Sequence, residues 1–179
     1  MATVRQAVFA ATFLFFSTNV FAQVVSDFAT NADGWTSTTS LSQLVNYSAT
    51  GGNPIGYISA QTPGSVNLGM GTIWFPYYID APTKFEGNKS AYYGGSIQVD
   101  LSETTTGTPV QWAAAVMTNA AGVSLYYYPN TLFQPPTFGT WSTFNISLSA
   151  ASGEWRTSDA STGTAATAAQ VQTMLNSIH

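Results

Sequence analysis

The chain has 179 residues, four basic and eight acidic side chains, one histidine and no cysteine. This inventory excludes thiol catalysis and cysteine-ligated zinc, and a formal charge of −4 with so few Lys and Arg makes nucleic acid and anionic lipid poor partners, because nothing neutralises phosphate. Charged residues make up only 7% of the chain against 14% aromatics, a balance that argues against disorder and for an all-β module with neutral polar faces.

Residues 1–22 read as a leader. Arg5 supplies the positive charge, Ala7 to Phe16 an apolar run too short to span a bilayer, and Val20-Phe21-Ala22 the small residues of a cleavage site between Ala22 and Gln23. The expected mature domain is therefore 23–179, secreted and not inserted in a membrane. Without disulfides it must be held by burial and sheet pairing.

Along that domain, Val24 to Phe28 reads as a short strand and Asn31 to Trp35 as the turn closing it, with Trp35 a core anchor. Gly51-Gly52-Asn53-Pro54 marks a turn, Ile55 to Ala60 a strand ended by Pro63-Gly64, and Thr72 to Phe75 another strand. From Ser96, strict alternation places Ile97, Val99 and Leu101 on one face and Ser96, Gln98 and Asp100 on the other, which would be solvated. Gln111 to Thr118 is apolar on both faces and is expected at the centre of a sheet. In Val123 to Tyr128, Val123, Leu125 and Tyr127 oppose Ser124, Tyr126 and Tyr128. Thr143, Asn145 and Ser147 alternate with Phe144, Ile146 and Leu148, and Trp141 falls on the polar side. The tail changes period: Ala168, Val171, Met174, Leu175 and Ile178 recur at helical spacing, with Thr164 as the expected N-cap of a helix of about 14 residues.

These strands, with turns between them and one helix, predict an antiparallel β-sandwich. The ordered stretch Ala81-Pro82-Thr83-Lys84-Phe85-Glu86-Gly87, then Tyr92-Tyr93-Gly94-Gly95 running into the alternating strand, resembles the laminin IV (laminin B) domain, in a bacterial-type secreted form. The Asp27-Phe28 start followed by Gly34-Trp35 is similar to the opening of such domains, whereas residues 76–82 read as an insertion. The resemblance implies a jelly roll of the galactose-binding-like kind with one C-terminal helix, and a last strand beyond the helix. The sequence stops at His179, so that strand is expected to be missing, as in a fragment.

Chemistry is poorly supplied. The single histidine, His179, is the last residue and cannot sit between a nucleophile and an orienting carboxylate. Glu86, Asp100, Glu103 and Glu154 show no spacing that picks out a glycosidase pair, and Glu86 is expected to pair with Lys84 or Lys89. The expectation is a protein that is not an enzyme. The resemblance implies a structural calcium ion near the chain ends, for which Asp27 and Asp33 are the candidate oxygen ligands; turn capping by the same residues is the competing role. Sugar stacking would need exposed aromatics, with Tyr126, Tyr128 and Trp141 the leading candidates and Tyr77, Tyr78, Tyr92 and Tyr93 behind them. Three N-x-S sequons begin at Asn46, Asn88 and Asn145. The expected role is a structural or adhesive module of the extracellular matrix or cell surface, meeting a protein or glycan surface. A carbohydrate-binding module is the alternative, and a glycoside-active enzyme a third.

Overall fold

The strictest alternation in the sequence forms the longest strand. A computed structural model describes residues 5–9, 14–16, 23–37, 45–62, 65–67, 72–74, 78–103, 113–131 and 137–179. Its strands are β1 (Arg5–Phe9), β2 (Leu14–Phe16), β3 (Thr36–Ser37), β4 (Asn46–Ser48), β5 (Tyr57–Thr62), β6 (Ser65–Asn67), β7 (Thr72–Trp74), β8 (Ile79–Asp80), β9 (Ser96–Glu103), β10 (Ala115–Thr118), β11 (Ser124–Tyr127), β12 (Ser142–Ser147) and β13 (Trp155–Arg156), followed by the helix α1 (Ala168–Leu175). The larger sheet runs β12-β9-β1-β5-β4, with β2 also pairing with β9, and every pairing in it is antiparallel. A three-stranded antiparallel sheet runs β10-β11-β13, and β3-β8 and β6-β7 form two small ribbons.

Both sheets and the helix feed one core. Ile58, Val99 and Ile146 come from the larger sheet, Met117, Leu125, Tyr127 and Trp155 from the smaller, and Val171, Met174 and Leu175 from α1. Trp155 ties the layers together. It is fully buried, meets Tyr127 at a ring-centroid distance of 5.1 Å, and donates its indole N–H to the Ser147 carbonyl at the end of β12, 2.7 Å away. The expected all-β antiparallel architecture with a single C-terminal helix is what the chain forms.

Several local expectations change. Val24 to Phe28 is not a strand: Phe28 takes positive φ (51°), which turns the chain where extension was expected, while the positive φ of Asp33 (54°) falls in the expected 31–35 turn. The 55–60 strand begins at Tyr57, and Ile55 is 50% exposed, because the backbone at Gly56 passes hard against the Phe28 carbonyl. β10 lies at an edge of its sheet rather than at the centre, and beside it the chain end lays down Ile178 against Asn119 and donates the His179 N–H to the Thr118 carbonyl. Val123 is 56% exposed in the turn before β11. The helix is shorter than its periodicity predicts and starts three residues later. Thr167 is the N-cap, in a reciprocal box with Gln170, while the Thr164 carbonyl is used by the Thr157 N–H.

Residues 5–9 and 14–16 belong to the segment read as a leader, and here they pair as strands against β9 and β5. Pro63-Gly64, Phe75, Tyr77 and Gln111-Trp112, which carried sequence expectations, lie outside the described residues.

Candidate functional site

The alternation that buries Val99 and Leu101 turns Gln98, Asp100 and Ser102 to the outer face of the larger sheet. Register brings neighbours to the same face: Thr143 opposite Asp100 and Asn145 opposite Gln98 on β12, and Asn46 opposite Ser59 across β4 and β5. Thr143, Asn145 and Asn46 are exposed, so two of the three sequons lie on this face.

Asp100 was expected to be solvated, yet it is 4% exposed. The reason is tertiary. The 49–56 loop folds back over the sheet, and Asn53 donates its side-chain amide to one Asp100 oxygen (3.4 Å) while the Thr143 hydroxyl donates to the other (2.5 Å). The same loop meets Trp141, whose indole N–H donates to the Gly51 carbonyl at 3.0 Å and whose ring lies 5.9 Å from that of Tyr57. Trp141 therefore keeps the polar-side position read from the sequence, half-buried at the rim of a polar face. Its ring partner Tyr57 and the Asp100 partner Asn53 were not singled out, although the turn at Gly51-Gly52-Asn53-Pro54 and the 55–60 alternation contained both. Replacing Asp100 with Ala should remove the acceptor that Asn53 and Thr143 share and cost about 1 kcal/mol, read from urea unfolding, whereas Asp100→Asn should cost less because it keeps an acceptor there.

The other two leading aromatic candidates lie elsewhere. Tyr126 and Tyr128 belong to the smaller-sheet region, so the structure does not bring them to Trp141. Tyr128 is 7% exposed and donates its hydroxyl to Asp159, which leaves no ring face for a ligand; Tyr126 is half-buried. Tyr92 is buried, and Tyr93 packs partly buried on the core. Burial, with Asp159 and Tyr126 close by, pushes the Tyr78 hydroxyl up to about 12. Burial and the hydrogen bond to Glu154 push Tyr127 upward too, and burial with the bond to Asp159 does the same for Tyr128. Raised values in the folded state stabilise it below the free tyrosine range near pH 10 and stop doing so as pH climbs through the folded values. Burial disfavours the ionised Glu154, but the Asn130 N–H, the Ser152 and Tyr127 hydroxyls and nearby Arg156 outweigh it and hold the carboxyl below its ordinary range. Glu154 therefore stabilises the fold above that range, and its contribution disappears as pH falls through the lowered folded value. The thermal midpoint measured against pH should fall at both limits, and Glu154→Gln should flatten the acid limb and, by removing part of what raises Tyr127, also soften the alkaline one.

In the turn over residues 25–35, Asp33 accepts hydrogen bonds from Ser26 and from Lys84, which also donates to the Val25 carbonyl. Ser26 is fully buried and in turn accepts the Trp35 indole N–H at 2.9 Å. Trp35 and Phe85 pack together at 5.6 Å, so the Lys-Phe pair of the 81–87 segment docks the N-terminal turn. Lys84 thus pairs with Asp33, not with Glu86 as expected, because Phe85 must enter the core and swings the lysine toward the turn. Asp27 caps that turn through the Ala29 N–H. An ammonium on Asp33 neutralises the carboxylate and repels a second cation, so this arrangement does not fit a calcium ion. Among the described residues no three of His, Cys, Asp and Glu cluster. Of the carboxylates considered for glycoside chemistry, Asp100 lies on the outer face of the larger sheet and Glu154 against Tyr127 of the smaller one.

The features together define a class: an antiparallel all-β domain with one helix, whose larger sheet presents a polar face with an aromatic rim and one covered carboxylate. The sequence profile of the Laminin B (Domain IV) family matches residues 78–179, more than half of the chain, and the chain belongs to that family. The matched region holds the Lys84-Phe85 step, β9 to β13 and the helix. Laminin B domains are structural domains of extracellular proteins. No curated protein and no solved structure matches the chain. Among the described residues no helix is long and apolar enough to cross a membrane.

Proposed function

We propose that the protein is a secreted, non-catalytic structural and adhesive module of the extracellular matrix or cell surface, and that it meets its partner through the outer face of the larger sheet. One observation carries this reading: the 49–56 loop, Trp141 and Tyr57 form a rim over a face whose only described carboxylate, Asp100, is held by neutral donors. Such a face offers mainly neutral hydrogen-bonding groups, and its one carboxylate is covered and has no cation beside it among the described residues, which suits protein or glycan surfaces and not phosphate. A carbohydrate-binding role is the second reading. It is favoured by the half-buried aromatic pair beside exposed Thr143 and Asn145, an arrangement able to stack a sugar ring and orient its hydroxyls.

The test is adhesion of the secreted protein to immobilised matrix proteins and, in parallel, to a glycan array. Trp141→Ala should lower binding about tenfold or more on whichever surface is recognised, at unchanged secondary structure. Retention of adhesion to both surfaces in that variant would remove the outer face as the contact. Binding confined to glycans would select the second reading.

A further inference from the structure

The outer face of the larger sheet sets a direction on the hydrogen bonds it can make. Thr143 is exposed, yet its hydroxyl proton is committed: it donates to Asp100 at 2.5 Å, and the second oxygen of that carboxylate takes the Asn53 amide. A carboxylate only accepts, and a hydrogen bond to it is roughly twice as strong as one between neutral groups. What Thr143 has left for a ligand is therefore its lone pairs. The Trp141 indole N–H is likewise occupied, by the Gly51 carbonyl, so Trp141 offers ring surface and no donor. Asn145 and Gln98 stand opposite one another on the same face, and each amide both donates and accepts, so neither discriminates. Thr143 does. Lys84, Lys89 and Arg156 lie by the 25–35 turn, beside α1 and on the smaller sheet, so none of these cations stands on the face.

From this we propose that the face selects a neutral oligosaccharide with a free hydroxyl at Thr143, and refuses the same sugar when that oxygen is methylated, carboxymethylated or sulfated. The inference rests on the carbohydrate reading of this face and adds the chemical class of the ligand. A sugar ring stacked on Trp141 directs the rest of the chain along β12, where Thr143 follows two residues on and Asn145 four, roughly 7 and 13 Å of strand. A free hydroxyl there donates to Thr143 Oγ1. A methyl ether brings an acceptor and no proton, so two sets of lone pairs face each other and neither oxygen regains the bond it had with water. A sulfate or carboxylate adds negative charge above Asp100, with no described cation on the face to offset it. Sites built to hydrogen-bond a ligand hydroxyl reject the analogue that lacks it for this same reason.

The experiment uses protein obtained by expression of the full chain. The probes are neutral glucans, galactans and mannans, together with the O-methyl, carboxymethyl and sulfated derivatives of the same backbones. At least one unsubstituted backbone should bind, and its derivatives should bind about tenfold or more weakly. Thr143→Val keeps the shape of the side chain and removes the acceptor. In that variant the affinity for the unsubstituted glycan should fall about tenfold, and the gap to the O-methyl derivative should close. Thr143→Ser should keep both the affinity and the gap. The gap is a ratio measured on one protein, so a loss of stability in the valine variant does not imitate the result. Derivatives that bind as well as the parent glycan would overturn the inference and leave the carbohydrate reading standing. A valine variant that still prefers the parent would do the same, since that preference would come from bulk. Binding to none of the glycans, with adhesion to matrix proteins intact, would overturn the carbohydrate reading and this inference with it.

Discussion

Trp155→Ala should destabilise the protein by about 3–5 kcal/mol, the largest effect expected of any single truncation in the domain. The side chain is fully buried, and three separate attachments end with it: the edge contact to Tyr127, the hydrogen bond to the Ser147 carbonyl, and the packing that joins the smaller sheet to the core shared with α1. The cavity left behind is lined on one side by β-strands held in ladders and cannot close without moving them. The Ser147 carbonyl would also lose its donor, which adds a desolvation cost to the lost packing. Equilibrium unfolding in urea, monitored by circular dichroism, measures the change directly. Trp155→Phe should recover part of the packing but not the hydrogen bond. A loss below about 1 kcal/mol for the alanine variant would mean that the two sheets do not share this core.

Gly56→Ala should be nearly as damaging for a volume change of one methyl group. A β-carbon placed there would lie 2.0 Å from the Phe28 carbonyl oxygen and 2.9 Å from that of Ser48, and both are backbone atoms that cannot rotate away. Overpacking of this kind costs about 1–3 kcal/mol or more. It also reaches the candidate site. Gly52 meets the Gly56 carbonyl at the other end of the same loop, and the loop carries Asn53 onto Asp100 and Gly51 onto Trp141. Gly56→Ala should thus weaken adhesion together with stability. Ile55→Ala, at an exposed position one residue away, should change neither by a measurable amount. Thermal melts and the adhesion assay on the two variants side by side make the comparison.

Much of the architecture was legible because it depends on local period. The alternation of 96–101 and of 143–148 placed Val99, Leu101, Ile146 and Leu148 in the core correctly, and the spacing of Val171, Met174 and Leu175 identified the buried face of the helix. Trp35 reads as a core residue in the sequence and is one, because a large aromatic after a turn has few other ways to leave water. Trp141 reads as polar-side and stands at the rim. The ordered Lys84-Phe85 segment also pointed to the right family, since it fixes a docking step that the fold needs.

What the sequence determined by itself was the alternation of each strand, the apolar stripe of the helix and the family. Only the tertiary structure decided that Asp100 is covered, that Lys84 answers Asp33, that β10 stands at an edge, that Tyr128 spends its hydroxyl on Asp159, and that residues 5–9 run between β5 and β9. The physical reason is common to all five. Period reports which side of one element faces inward, a property of neighbours two to four residues apart. Coverage, charge pairing and strand order depend on groups that the chain brings together from 31, 47 or 51 residues away, and nothing in local spacing encodes that meeting.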